Sequence, residues 1–447
     1  MSAEWAAILA LIALFVVGTV LPINMGALAY VAAWLVGMYA LDLDEKTILG
    51  GISGDLVLTL IGVTYLFAIA RNNGTVDLIV SSAVRAVGGR VVLIPWVMFV
   101  VTAVLTAIGA ASPAACAIIG PIALGFAGRY RISPLMMGML VVHGAQAGGF
   151  SPISIYGTIT NSVMESAGLP SSEMTIFLSS LVVNTALALI LFFTLGGAKL
   201  ASRRIESDEP DTIGGDLRRG GASVPARGMG ATAPTGTVTN AEATAARRGV
   251  VPEQILTLVA FVAVAVIALA FDKNIGFVAI TAAVILAMLS PQQHKDAVRQ
   301  IAWPTVLLVA GVSTYATILN TAEVPEYVGD WAAGLAAVTI GALILCYVGG
   351  VVSAFASSTA LLPVIIPIAI PLIADGGIGA GAFVAALAVS STIVDVSPFS
   401  TNGALMLANR PDTIEERPYY KQILTYSVIV TLVGPLLVWA ALVLPRW

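Results

Sequence analysis

Charged residues are scarce in this sequence. Asp, Glu, Lys and Arg make up 10% of its 447 residues, whereas a soluble domain of ordinary composition carries about 25%. Hydrophobic residues make up 58%, and the mean hydropathy is +0.96. This composition excludes a soluble globular protein and indicates a multi-pass protein of the lipid bilayer. The net charge of -4 gives no indication of nucleic-acid binding.

Histidine and cysteine, which many catalytic and metal sites use, are almost absent. The sequence has His143 and His294, and the cysteines Cys116 and Cys346. No HExxH motif occurs, and no GxSxG serine has a plausible histidine partner, so we expect neither an enzyme nor a cofactor. Both cysteines lie in apolar runs, which argues against a disulfide framework. The first apolar run has neither a basic leader nor a small-residue cleavage site, and is interpreted as a retained helix.

The sequence contains one pattern twice. Ser151-Pro-Ile-Ser154-Ile-Tyr-Gly157 recurs as Ser397-Pro-Phe-Ser400-Thr-Asn-Gly403, an SPxSxxG motif displaced by 246 residues. The stretch 121–123, Pro-Ile-Ala, recurs at 367–369 with the same displacement, which also aligns Ser112 with Ser358. Two landmarks with one displacement indicate a duplication, with a first repeat at 1–200 and a second at 250–447.

Each repeat has polar breaks inside apolar sequence. In a membrane such breaks survive only where they are buried in protein or line a wet cavity. They predict a re-entrant hairpin at 91–128 and at 332–374, and a broken helix at 134–166 and at 380–409. With five spans in each repeat, an odd number, the second copy must lie inverted relative to the first. The predicted fold is an all-α polytopic membrane protein of two inverted repeats.

The basic residues predict an orientation. If the segment 201–249 is cytoplasmic, all lysines and arginines except Lys46, Lys273 and Arg446 fall on the cytoplasmic side, as the positive-inside rule requires. Both termini are then extracytoplasmic, in what we expect to be the cell inner membrane. The segment 201–249 is rich in Gly, Ala, Thr, Ser and Arg without apolar periodicity, which predicts a disordered linker that serves as a tether.

Inverted repeats with broken helices are typical of secondary transporters. A half-helix that starts inside the membrane directs its N–H groups at an anion, and the carbonyl ends of the preceding half-helices suit a cation. The predicted substrate-binding residues are Ser112, Pro113, Ser154, Thr158, Asn161, Ser358, Thr359, Ser400, Thr401 and Asn402. The predicted cation ligands are Ser112, Gly148, Ser151, Gly157, Ser353, Ala356, Ser358, Asp395, Ser397 and Gly403. For any single Ser or Thr, a bond back to its own helix is the alternative.

Two ionisable side chains have two interpretations each. Asp395 lies just before Ser397 at membrane depth, where a charge is costly; it either serves the coupling ion or caps a half-helix. His143 either packs against a neighbouring carbonyl or relays protons. No Lys or Arg lies in either hairpin tip or either SPxSxxG break, so a bound dianion needs a cation, which favours cation symport over an anion channel.

At these residues the sequence resembles the ion transporter superfamily that includes the divalent anion/sodium symporters. The first half, especially 109–161, is similar to the MatC-type dicarboxylate (malonate) carriers, whose Gly-Thr-x-x-Asn pattern is present as Gly157, Thr158 and Asn161. The superfamily's hairpin-tip Ser-Asn-Thr is matched by Ser-Ser-Thr at 357–359 and replaced by Ala-Ser-Pro at 111–113. The resemblance implies a homodimer with a scaffold from the early helices and an elevator-like transport unit.

The sequence therefore predicts a secondary active transporter that imports a small dicarboxylate, malonate or a C4-dicarboxylate, by symport with sodium. The alternative is a proton-coupled symporter or antiporter of another organic or inorganic anion that uses Asp395 or His143.

Overall fold

The computed structural model describes residues 2–21, 23–86, 88, 90–203, 251–271, 273–325, 327, 338–354, 358–374, 379–411 and 413–445. Within these ranges every helix or strand assigned is a helix, so the prediction of an all-α polytopic protein is confirmed. Of the predicted linker 201–249, only residues 201–203 are among those described, and of the second hairpin, 332–337 and 355–357 are not. The inverted orientation of the repeats stays a prediction.

The helices of the first half carry the predicted hairpin and the predicted broken helix. They are α1 Ala3–Val20, α2 Met25–Ala40, α3 Glu45–Gly50, α4 Gly54–Asn72, α5 Thr75–Ala86, α6 Ile94–Ala107, α7 Ser112–Arg129, α8 Pro134–Gly148, α9 Ile155–Ser166 and α10 Glu173–Thr194, with short 3-10 helices at Val91–Leu93 and Gly197–Ser202. The pair α6 and α7 covers the hairpin segment. The break between α8 and α9 contains the first SPxSxxG motif.

The second half repeats this order. Its helices are α11 Pro252–Phe271, α12 Ile275–Leu289, α13 Pro291–His294, α14 Trp303–Thr321, α15 Val338–Ser353, α16 Ser358–Ala374, α17 Ala380–Ile393, α18 Thr401–Ala408 and α19 Glu416–Leu442, with a 3-10 helix at Ala297–Gln300. At a displacement of 246 residues, α6 to α9 correspond to α15 to α18. The second break, between α17 and α18, contains the second SPxSxxG motif.

Several helices suit a bilayer. Among the described residues, α4, α7, α10, α14 and α19 have 18 residues or more and are apolar enough to cross a membrane by length and composition. A further group of apolar helices, which includes α2 and α12, is shorter than this. The sequence analysis did not predict helices α3 and α5. Neither is long enough to span a membrane, and α5 has one polar and one apolar face instead of being apolar throughout.

The early helices of the two halves pack across each other. Helix α2 packs on α14, and α4 packs on α12. Both crossings are tight at glycine: a side chain on Gly26 would meet the backbone of α14 at Leu307, and one on Gly62 would meet the backbone of α12 at Gly276. Small residues permit such close approach of membrane helices. These four helices therefore form one interlocked group.

Helices α8 and α17 form the interior. Every residue of α8 from Leu135 to Gly148 is buried, as is every residue of α17 from Ala382 to Ile393. A helix that is apolar on all sides is stable only when other helices surround it. Helix α8 packs on α6, α7 and α10, and α17 packs on α15, α16 and α19. Both interior helices end at an SPxSxxG break, so the breaks lie inside the molecule.

Candidate anion and cation site

The first hairpin turns at a glycine and restarts at a serine. Gly109 has φ +108°, a left-handed conformation that side chains disfavour. Helix α7 then begins at Ser112, and Pro113 occupies the first turn, where its missing N–H costs no helical hydrogen bond. In the second half, α16 begins at the corresponding Ser358. Both serines are buried, so each hairpin places a helix N-terminus and a hydroxyl in the protein interior.

The two breaks are built alike. Ser154 precedes α9; its Oγ accepts from the Gly157 N–H at 3.3 Å and donates to the Ser151 carbonyl at 2.6 Å and also to the Gly149 carbonyl. Ser400 precedes α18, and its Oγ donates to the Ser397 carbonyl at 2.8 Å. These hydroxyls satisfy backbone groups that the break leaves unpaired. The two serines of each SPxSxxG motif thus stabilise the break itself.

The last position of the motif is glycine for a steric reason. A side chain on Gly157 would meet the Ser151 carbonyl, and one on Gly403 would meet the Ser397 carbonyl. In each copy the start of the half-helix therefore packs directly on the first serine of its own motif. Only glycine permits this approach.

The hairpins and breaks contact each other across the halves. The Asn402 amide, in the first turn of α18, donates to Ser112 Oγ at 2.7 Å. The Tyr156 side chain, in the first turn of α9, lies near the side chains of Ser112 and Ser358, and α9 packs on α16. Ser358 in turn bonds to Ser353 at 2.7 Å. The N-termini of α7, α9, α16 and α18 therefore meet at one place, and the predicted residues Ser112, Ser353, Ser358 and Asn402 lie together there.

Asp395 lies at the edge of this cluster. It is buried and accepts from the Asn402 N–H at 3.3 Å and from the Asn402 side-chain amide at 2.7 Å. Through the bond from the Asn402 N–H, the Asp395 carboxylate caps the N-terminus of α18, as expected of a half-helix cap. Its role toward a coupling ion stays a prediction. The Asn402 side chain bridges Asp395 and Ser112, while its Oδ1 has no hydrogen-bond partner among the described residues.

Other predicted residues lie farther from the shared contacts. Thr158 Oγ1 reaches the Pro152 carbonyl at 3.5 Å, and Asn161 lies almost two turns into α9. Thr401 is exposed, and Thr359 is partly buried in the first turn of α16. Ala356 lies outside the described residues.

The remaining predicted cation ligands are engaged locally. A side chain on Gly148 would meet the Ala103 carbonyl of α6, and the Gly148 carbonyl accepts from the Ser151 N–H at 3.0 Å. Ser397 Oγ accepts from the Phe399 N–H at 3.1 Å. Of these residues, Gly148 therefore packs against the hairpin helix α6, away from the second half.

His143 belongs to a separate buried network. Its Nδ1 lies 2.9 Å from Asn184 Oδ1 and its Nε2 lies 2.6 Å from the Tyr426 hydroxyl. The Asn184 amide donates to the Ser180 carbonyl at 3.0 Å, which leaves Asn184 Oδ1 to accept from His143 Nδ1–H. Nε2 then accepts from Tyr426. The neutral ring is fully hydrogen-bonded, and the carbonyl oxygen that it contacts is that of the Asn184 side-chain amide.

Tyr156 is a site residue that the sequence prediction did not include. It occupies the third variable position of the first SPxSxxG motif, just before the glycine, and Asn402 occupies that position in the second. Because Asn402 was predicted as a substrate ligand, the displacement of 246 residues alone pointed to Tyr156. Its side chain is only 6% exposed, and its ring packs against that of Phe150.

Comparison with known proteins agrees with this architecture. Residues 1–149 match the family model "Dicarboxylate carrier protein MatC N-terminus", and residues 266–446 match the model "Citrate transporter". Both describe carriers, not enzymes. The comparison with curated proteins gives no match.

Two solved structures resemble the chain at low sequence identity. One is the YdaH transporter of Alcanivorax borkumensis, described as having an unusual topology, with a TM-score of 0.56 and 14% identity over 88% of this chain and 87% of that chain. Another is MtrF of Neisseria gonorrhoeae, described as illuminating a class of antimetabolite efflux pumps, with a TM-score of 0.45 and 11% identity over 89% and 83% of the two chains. The likeness to YdaH concerns the fold alone, and that to MtrF is too low for an argument. The chain is a multi-pass membrane transporter whose residues 1–149 are similar to dicarboxylate carriers and whose residues 266–446 are similar to citrate transporters.

Proposed function

We propose that this transporter imports a small dicarboxylate, with malonate or a C4-dicarboxylate as substrate, by symport with sodium. The observation that carries the proposal is the meeting of four helix N-termini at Ser112, Tyr156, Ser358 and Asn402. Each N-terminus presents first-turn N–H groups that have no partner within the helix, and the positive end of a helix dipole. Four of them provide anion-binding groups on several sides, which suits a ligand with two carboxylates.

The coupling to a cation follows from charge. No Lys or Arg occurs in 91–128, 134–166, 332–374 or 380–409, so no basic side chain of these segments neutralises a dianion. Asp395 adds a further negative charge beside Asn402 and Ser112. Like charges in a buried site are costly unless a cation lies between them. Sodium suits the oxygen atoms of Ser112, Asp395 and the unpaired Asn402 Oδ1, because hard cations take oxygen ligands.

The proton-coupled alternative is less well supported by the contacts. To accept a proton, His143 Nε2 has to give up the hydrogen bond that it receives from Tyr426. His143 also belongs to a network with Asn184 and Ser180 on α10, separate from the serines of the hairpin tips. Asp395 is the better proton acceptor of the two, since it lies at the cluster.

The packing suggests how transport proceeds. The interlocked group α2, α4, α12 and α14 would serve as a scaffold, and the hairpins and broken helices would move past it as one unit in an elevator-like motion. The two groups meet where α4 contacts α9 and where α14 contacts α16. We further propose a homodimer in the inner membrane, with both termini extracytoplasmic and 201–249 cytoplasmic.

Reconstitution into proteoliposomes tests the proposal. Uptake of labelled malonate or succinate is measured under an inward sodium gradient alone and under a pH gradient alone. Sodium-driven uptake supports symport with sodium, and uptake driven only by the pH gradient supports the alternative.

Ser358→Ala and Thr359→Ala should abolish uptake without loss of folded protein. Thr102→Ala is the matched control, because the buried Thr102 hydroxyl bonds only within its own helix, to the Met98 carbonyl; full uptake in both hairpin variants would contradict the assignment.

A further inference from the structure

Among the differences between the two breaks are two positions whose residues face each other, one just before the motif and one within it. The first copy has Gly149 and Tyr156, and the second has Asp395 and Asn402 at the corresponding places. A side chain on Gly149 would lie 2.9 Å from the Tyr156 ring, closer than side chains approach. In the second copy the small Asn402 leaves room for the Asp395 carboxylate, which bonds to it at 2.7 Å. The aromatic ring of one copy therefore takes the place that a carboxylate takes in the other.

The Tyr156 ring has a fixed position. Its ring packs against that of Phe150, with the centroids 5.4 Å apart, and Phe150 is fully buried. The side chain lies near Ser112 of one hairpin tip and Ser358 of the other, and α9 packs on α16, which begins at Ser358. An anion held by both tips must therefore lie against this ring or within reach of its hydroxyl.

We infer that Tyr156 determines the size of the anion: its ring is the wall that admits a short dicarboxylate and rejects a bulkier tricarboxylate, and its hydroxyl holds the substrate. This inference rests on the proposed function. The two copies then have different roles. Asp395 and Asn402 balance the charges of the bound ions, whereas Gly149 and Tyr156 determine the shape of the space for the anion. A rigid aromatic side chain suits this role because it loses little conformational freedom on binding.

Two variants separate the ring from the hydroxyl. Tyr156→Asn removes the ring and keeps a hydrogen-bond donor, as the second copy does at Asn402. Tyr156→Phe keeps the ring and removes the hydroxyl. Tyr419→Phe is the matched control, because Tyr419 is equally buried and its hydroxyl has no partner among the described residues.

The measurement is inhibition of labelled malonate or succinate uptake by citrate, in proteoliposomes containing the full chain. The quantity compared is the ratio of the citrate inhibition constant to the KM of the dicarboxylate. For Tyr156→Asn we expect this ratio to fall by about tenfold or more, which is the scale on which binding pockets discriminate between ligands by size. For Tyr156→Phe we expect the wild-type ratio and a higher KM. Tyr419→Phe should match the wild type in both quantities.

Other results overturn the inference. A wild-type ratio in Tyr156→Asn, or the same shift in Tyr156→Phe, shows that the ring does not set the size limit. A wild-type protein that transports citrate as well as the dicarboxylate defeats this inference alone, whereas one that transports neither defeats the proposed function with it. If Tyr156→Asn does not fold, Tyr156→Leu replaces it, and thermal stabilisation of the purified protein by citrate and by malonate gives the same comparison without transport.

Discussion

At the scale of single residues, Asn402 connects the carboxylate of Asp395, the hydroxyl of Ser112 and the first turn of α18. Its one amide group donates to Asp395 and to Ser112, and its backbone N–H also binds Asp395. The same side chain thus links the end of one broken helix to the tip of the opposite hairpin. The loss of its donor should affect both the anion and the cation that we propose.

Asn402→Asp is a nearly isosteric change that removes this donor. It places a second carboxylate within hydrogen-bond distance of Asp395, and two buried like charges at this distance disfavour each other's ionised form. We expect uptake to fall by about 100-fold at neutral pH and to recover in part at mildly acidic pH, because one shared proton removes the repulsion. The readout is initial uptake rate against pH. Asn24→Asp is the control, since aspartate caps α2 as well as asparagine does; equal losses in both would contradict the prediction.

The motif glycines allow a test by matched single substitutions. Gly157→Ala and Gly403→Ala each direct a methyl group at the carbonyl of the first serine of the motif, so each should destabilise the protein by about 1–3 kcal/mol. Gly125→Ala in α7 meets no other atom within 4 Å and should be neutral or stabilising, because alanine favours a helix. Thermal unfolding midpoints in detergent measure the difference. A normal midpoint in either motif variant would refute the steric account.

At the scale of helices, the His143 network ties α8 to α10 and α19. Tyr426→Phe should leave His143 Nε2 buried without a donor and cost about 1–3 kcal/mol. If the network is structural, sodium-driven uptake in this variant keeps the wild-type pH profile while the unfolding midpoint falls. A shifted pH profile at an unchanged midpoint would favour the proton relay instead. Tyr419→Phe, whose hydroxyl lacks a partner among the described residues, controls for the loss of a buried tyrosine hydroxyl.

The sequence predicted helices and breaks well where apolar runs met a repeated motif. The ends of α8 and α17 and the starts of α7 and α16 could be located because Ser, Pro and Gly recur at one displacement. The prediction failed to include α3 and α5, which are too short to span and so leave no hydropathy signal. It also could not tell that Gly148 packs on α6 or that Thr401 is exposed, because both depend on how a helix is rotated against its neighbours.

At the scale of the whole molecule, the contacts between halves form a consistent pattern. The scaffold pairs α2 with α14 and α4 with α12, and the site pairs α7 with α18 and α9 with α16. Each pair takes one helix from each half, and the displacement of 246 residues relates one pair to the other within both groups. Neither half buries its polar breaks alone. This is a physical reason for two copies to be present in one chain.

The orientation predicted from the basic residues can be tested directly. With Cys116 and Cys346 buried, a cysteine introduced at Lys46 or Ser223 reports on one surface each. The distribution of basic residues predicts that Ser223 lies on the cytoplasmic side and Lys46 on the opposite side. A membrane-impermeant maleimide should therefore label Lys46→Cys in intact cells and Ser223→Cys only in inverted vesicles. The unsubstituted protein is the control for background labelling. The reverse result would turn the chain over, so that the first hairpin enters from outside.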